Sequence, residues 1–279
     1  MSRLAERFAQ LQRQKRRALI PYIAAGDPQP GVTVPLMHAL VKAGADIVEL
    51  GVPFSDPMAD GPVIQRATER ALKHNVSLRQ VFEMVREFRL QDSTTPVVLM
   101  GYLNPIEVMG YERFAEQAAA SGADGVITVD LPPEEAGGLT KSLKKCGLDA
   151  IFLLAPTSPT SRVQRIAGVA SGFIYYVSLR GVTGAANLDM VEIADKLKQI
   201  RRHSPLPVGV GFGVNSPETA AQLAMFADAV IVGSAIVKRM EALATQPDRL
   251  LVDVPAFLSA LRSAMDAVEH TNQFSGVSR

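Results

Sequence analysis

The chain has 279 residues and is poor in the features that mark several large functional classes. One cysteine excludes an internal disulfide, and four scattered histidines make a poor zinc site. No long run of one charge occurs: 29 basic side chains are balanced by 28 acidic ones, for a net charge of +1. Without a basic stripe interleaved with aromatics, there is no footprint for nucleic acid. No apolar run reaches the roughly 18 residues that span a bilayer. The N-terminal MSRLAERFAQLQRQKRR is charged and helical in period, without the apolar centre of a signal peptide. Together these absences predict a soluble cytoplasmic chain that uses neither nucleic acid nor membrane.

A 47% hydrophobic content is ample for a large core, and it is distributed in a pattern. Short Val- and Ile-rich runs fall at 18–24, 46–51, 96–102, 125–130, 150–155, 173–178, 207–212 and 229–233. They lack polar alternation, as strands covered on both faces do. Amphipathic stretches lie between them, several ending in Gly, a common helix stop. Eight strand–helix repeats predict a (β/α)₈ TIM barrel of residues 1–270 as one domain, followed by a frayed tail at 271–279. A doubly wound open sheet is the alternative, but the first strand lacks a GxGxxG turn and no linker divides the chain. An extra N-terminal helix within Met1–Arg16 is expected to cap the barrel floor. A further helix within Gly61–Asn75 precedes the one expected at Leu78–Leu90.

Barrel chemistry sits at the carboxyl ends of the strands. Glu49 falls there in the second run, among Ile47, Val48 and Leu50, where apolar neighbours would raise its pKa toward neutrality. A Glu in that position also suits a partnership with Lys or Arg, or a place in solvent. Asp60 lies eleven residues on and can meet Glu49 only if the loop VPFSDPMAD folds back over the mouth. Such a pair offers one protonated and one ionised group. Alone, Asp60 before Gly61-Pro62 reads as a helix N-cap, and Asp56 before Pro57 as a turn residue. Glycines after the last three runs (Gly181 and Gly184, Gly211 and Gly213, Gly233), with Ser234, match the place where barrels bind phosphate. Ordinary turns would account for any one of them. Tyr22, Met100, Tyr102, Ile127, Tyr175 and Phe212 lie in or beside strand runs and together would line an apolar pocket for a flat aromatic group. His38, His74, His203 and His270 read as helix-surface or capping residues, and Cys146 as an inert thiol.

The stretch ELGVPFSDPMADGPVIQ resembles the signature of the tryptophan synthase α-subunit family. PYIAAGDP, MGYLNP at 100–105, GVTG at 181–184, GFGV at 211–214 and GSAIVK at 233–238 are similar to its further motifs, so the resemblance covers Pro21 to about Met240. It implies retro-aldol cleavage of indole-3-glycerol phosphate to indole and glyceraldehyde 3-phosphate, without metal or organic cofactor. Carried onto this sequence, it makes Glu49 the acid/base at the indole ring carbon and side-chain hydroxyl. Asp60 would then hold the indole N–H. Phosphate would rest near Gly184, Gly213, Gly233 and Ser234, and Thr183 would belong to a closing loop that meets Asp60. It also implies a pyridoxal-phosphate-dependent β-subunit in an α₂β₂ heterotetramer, docked on Pro53, Asp56, Pro57, Asn104 and Pro105.

The sequence departs from the family pattern at three places. Leu179 precedes Arg180 where many members have the Arg directly after the strand-ending Ser. Tyr22 replaces a common Phe, and the segment before Gly233 is one residue shorter. A different phosphate-binding barrel lyase or isomerase would show an early catalytic Lys, and ALIPYIAAG and DIVELG have none. A non-catalytic barrel that only activates a partner would have lost Glu49 or Asp60, and both are present.

Overall fold

Strands this short cannot hold together singly; each gains its hydrogen bonds from two neighbours, and closure into a ring leaves none unpaired. In the computed structural model, which describes residues 2–177, 190–211 and 213–268, this is the arrangement found. The strands are β1 (Ala18–Ala24), β2 (Val48–Gly51), β3 (Val97–Gly101), β4 (Gly125–Thr128), β5 (Asp149–Leu154), β6 (Ile174–Val177), β7 (Val208–Gly211) and β8 (Ala229–Val232). Each pairs in parallel with the next, and β8 returns to β1 through Ala18 opposite Ala229, which closes the barrel. The (β/α)₈ expectation holds, and the open sheet is excluded.

Among the described residues six helices belong to the first half: α1 (Arg3–Arg13), α2 (Pro30–Lys42), α3 (Pro62–Leu72), α4 (Leu78–Arg89), α5 (Leu103–Met109) and α6 (Tyr111–Ser121). Six follow: α7 (Gly137–Lys145), α8 (Thr160–Val169), α9 (Met190–Arg201), α10 (Pro217–Ala224), α11 (Ser234–Ala242) and α12 (Pro247–Asp266). Local chemistry sets their ends. Ser77 and Gln80 form a reciprocal capping box at the start of α4, and Ser216 caps α10. Prolines open α2, α3, α10 and α12, where a missing N–H removes no helical bond.

Because side chains alternate along a strand, each strand sorts its residues between two cores. Odd-numbered Leu19 and Ile23, with Val48, Leu50, Val97 and Leu99, face the helices. Ala18, Ile20, Ile47, Val98, Ile127, Ile151, Ala229 and Ile231 face the barrel axis. The expected N-terminal helix closes the axis from below: Leu4, Phe8 and Leu11 of α1 join that inner cluster, with Phe8 5.8 Å from Phe173. Polar ties hold α1 in place. The Ser2 hydroxyl donates to Asp149, and Arg3 reaches Asp124, which also accepts from Arg89 and from the Val97 N–H.

Helix α12, which the strand count did not anticipate, packs across α2 and α10. Its buried Arg262 pairs with Asp46 just before β2. The tail at 271–279 lies outside the described residues.

Candidate active site

The alternation that places Ile47 on the axis places Glu49 there too, one layer nearer the mouth. Its Cα is opposite Tyr22 on β1 and Val98 on β3. Glu49 is 1% exposed, and neither carboxylate oxygen has a hydrogen-bond partner. A buried charge with no partner is unfavourable, so the side chain keeps its proton: burial, aided by the nearby Asp60 charge, raises its pKa to about 8. The alternatives of an ion-paired or solvent-facing Glu49 are both excluded by this environment.

Inward-facing neighbours surround it. Tyr22, Met100, Ile127 and Tyr175 all lie on the axial side of their strands. Two tyrosines fit only because the adjacent strand ends in glycine. A Cβ on Gly51 would lie 2.2 Å from the Tyr22 hydroxyl, and one on Gly211 2.4 Å from that of Tyr175. Burial raises the pKa of both phenols, and the charges of Glu49 and Asp60 add to the effect. Four titratable side chains therefore share one desolvated space above the inner core.

The loop after β2 delivers the second carboxylate. The N-cap of α3 is Gly61, without a side-chain cap bond, so Asp60 is not the capping residue its sequence position suggested. Its side chain instead accepts a 3.0 Å hydrogen bond from the Tyr102 hydroxyl, which in turn accepts the Ala59 N–H. Phe54 stacks on the Tyr102 ring with centroids 5.1 Å apart. Tyr102 thus clamps the loop rather than presenting a free hydroxyl to the pocket. Burial raises the pKa of Asp60, while the bond from Tyr102 pulls it back by favouring the ionised form. Asp60 ionises first, and its charge then helps keep Glu49 protonated. That is the division into one ionised and one neutral acid that proton transfer needs.

Opposite this pair, Gly213 has φ +78°, a conformation that strains residues with a side chain, and it is exposed. Gly233 is the N-cap of α11, and Ser234 is the exposed first residue of that nine-residue helix. Free N–H groups of that helix end therefore face the mouth. Thr183, Gly184, Phe212, Leu179 and Arg180 lie outside the described residues.

Of the residues expected to meet a partner, Asp56 and Asn104 are exposed, and Pro57 and Pro105 are partly so. Pro53 differs: it is buried, so it offers no open surface to a partner. The Asp56 side chain accepts from the Ser55 hydroxyl at 2.6 Å, just before the turn that the Asp60 N–H closes on the Pro57 carbonyl. Among the described residues no group of three His, Cys, Asp or Glu side chains stands where it could hold a metal ion. His74 contacts the Pro28 carbonyl, and His38 packs on Phe88.

Comparison with known proteins agrees with this geometry. Residues 8–266 match the family model described as tryptophan synthase alpha chain. The tryptophan synthase alpha chain of Nitrosococcus oceani is 60% identical over 270 residues, which is 97% of this chain and all of that one. That of Thioalkalivibrio sulfidiphilus is 60% identical over 266 residues, 95% of this chain and all of its own. The crystal structure of tryptophan synthase subunit alpha from Legionella pneumophila superposes with a TM-score of 0.90 at 49% identity, covering 96% of this chain and 100% of that one. A barrel with a buried acid at the mouth and these full-length likenesses lead to one conclusion: the chain belongs to the tryptophan synthase α-chain family.

Proposed function

We propose that Glu49 and Asp60 together carry out the proton transfers of this family's reaction. The chain is a carbon–carbon lyase that cleaves indole-3-glycerol phosphate to indole and glyceraldehyde 3-phosphate in tryptophan biosynthesis. Protonated Glu49 gives its proton to the ring carbon that bears the side chain, leaving positive charge on the indole nitrogen. Ionised Asp60 accepts the indole N–H and stabilises that charge. Glu49, now a carboxylate, takes the proton of the adjacent side-chain hydroxyl. As the C=O forms, the carbon–carbon bond breaks and its electrons return to the ring. Indole leaves neutral and Glu49 is again protonated, so no cofactor is consumed.

The observation that carries this reading is the buried Glu49 carboxyl without a hydrogen-bond partner, close enough to Asp60 for that charge to raise its pKa further. Tyr22, Met100, Ile127 and Tyr175 form the floor on which the flat indole rests. The N–H groups at Gly233 and Ser234, and the backbone at Gly213, receive the phosphate. Glu49→Gln keeps the shape but cannot exchange a proton, and general acid–base groups contribute roughly 10²–10⁴-fold. Turnover with indole-3-glycerol phosphate should fall by that factor with binding retained. Retention of more than about a tenth of the rate would remove Glu49 from its role.

An α-chain implies a β-subunit as partner. We place that contact at the exposed Asp56 and Asn104 with Pro57 and Pro105, in an α₂β₂ assembly in the cytoplasm. Pyridoxal phosphate belongs to the β-subunit, which consumes the indole. Docking on these loops orders the segment that bears Asp60, so the β-subunit should raise turnover at least about tenfold, on the order of 1.4 kcal/mol of barrier. Turnover of the purified chain with and without β-subunit decides it: equal rates would mean a self-sufficient lyase.

A further inference from the structure

The loop from Val52 to Asp60 carries the second carboxylate but has no secondary structure of its own, so something outside it must fix where Asp60 points. Tyr102 holds the Asp60 side chain and the Ala59 N–H through its hydroxyl, but it makes no bond to the carbonyls of Pro57 and Asp60. Gln65 supplies the missing constraint. Its side-chain nitrogen donates to the Asp60 carbonyl at 2.9 Å and to the Pro57 carbonyl at 3.3 Å. Both neighbours are carbonyl oxygens, so the nitrogen of the amide is the end that faces them.

The helix that bears Gln65 is itself anchored. Arg66 makes a bidentate pair with Glu241 of α11, with distances of 2.6 and 2.9 Å. Arg70 joins Glu241 at 3.0 Å and grips fully buried Asp27 through two further bonds. Helix α3 is therefore locked to the loop after β1 and to the helix whose first turn stands at the candidate phosphate site. Gln65 projects from this fixed element to the loop.

From these contacts we infer that Gln65 is a positioning residue: it transmits the fixed frame of α3 to the loop backbone and so sets the reach of Asp60 into the site. The inference rests on the catalytic reading of Asp60 given above. The hydrogen bonds of the Gln65 side chain go to the loop backbone and not to Glu49 or the inner pocket, so its effect on the chemistry passes through the loop that carries Asp60.

The test is Gln65→Glu, which keeps the side-chain length but turns acceptor oxygens toward the two carbonyls, together with Gln65→Ala, which removes the tie without repulsion. Displacement of a catalytic group by about 1 Å costs up to ~10²-fold in rate. In the full chain assayed with its β-subunit, both variants should lose at least about tenfold in kcat, with KM for indole-3-glycerol phosphate within about twofold. A merely structural residue would lower the melting temperature and leave kcat per folded molecule unchanged. Added to Asp60→Asn, Gln65→Ala should cause less than about a twofold further loss, because the group it positions is already disabled. Near-normal kcat in both single variants, or losses that multiply in the double variant, would overturn the assignment. If Asp60→Asn itself turned over normally, the catalytic reading of Asp60 would fail instead.

Discussion

Replacing Glu49 by Gln should make the protein more stable as it makes it inactive, and the gain should depend on pH in a defined way. The unfolded side chain ionises near 4.5, and the folded one only at about 8. Below the lower value both states are neutral, and the full contribution of the buried carboxyl to stability is present. Between the two values the unfolded chain releases the proton that the folded chain keeps, so each pH unit removes about 1.4 kcal/mol from the native fold. From pH 5 to pH 7 the loss amounts to about 3 kcal/mol, and it levels off above pH 8. An amide does not titrate, so the stability of the Glu49→Gln variant minus that of native protein should widen by this amount, while all other titrating groups cancel. For a chain of this size, roughly 2–4 °C accompanies each kcal/mol, so the melting midpoints should separate by a further ~6–12 °C over that interval. Paired urea or thermal melts from pH 5 to 9 provide the measurement. Native turnover, followed alongside, should decline as pH passes about 8 and the acid form is lost. A stability difference that stays constant with pH would show that Glu49 ionises in the fold as it does in the unfolded chain. The explanation of its acidity by burial would then be wrong.

Tyr102→Phe removes the hydroxyl that favours ionised Asp60, so the acid limb of the pH–rate profile should move to higher pH and turnover at neutrality should fall about tenfold; an unmoved limb would place Asp60 outside the rate equation. Gly213→Val puts a branched side chain where φ is +78°, and substrate and glycerol phosphate should weaken together while free indole binding changes little. Equal loss of all three ligands would indicate general damage to the barrel. Arg89→Met leaves buried Asp124 with one cation fewer and should lower unfolding free energy by about 3 kcal/mol in urea, with turnover per folded molecule unchanged.

The barrel was legible in the sequence because eight strands buried on both faces can be built only from near-continuous apolar runs. The first run, 18–24, coincides with β1. The second, 46–51, overstates β2 at its start, where Asp46 bonds Leu19 of β1 through its N–H and its side chain and pairs with Arg262 before the strand begins. Glu49 was legible for the same reason: a carboxylate stands out in an apolar strand, and alternation gives it a face. Asp60 was legible as a partner but its local role was misread, since sequence neighbours suggest a cap while a tyrosine 42 positions away takes the side chain. The glycines at 51 and 211 were harder still. Gly211 reads as one of the phosphate-site glycines and Gly51 draws no reading at all, and only the neighbouring strand reveals the tyrosine whose hydroxyl occupies the vacated space. Gln65 looked like one more polar residue on a helix. Its meaning lies in two carbonyls of a folded loop, and no periodicity encodes them.

The plug formed by α1 turns the barrel from a tube into a cup. Leu4 and Phe8 join Ile20, Val98, Ile151 and Phe173 in filling the axis from below, so among the described residues no passage is left beneath Glu49. An apolar product released there has no rear exit through the barrel, however readily it would cross an apolar interior. Arrival of substrate and departure of both products must take turns at one rim. Traffic through the molecule is therefore governed where the loops meet, and whatever sits on that rim controls where indole goes next.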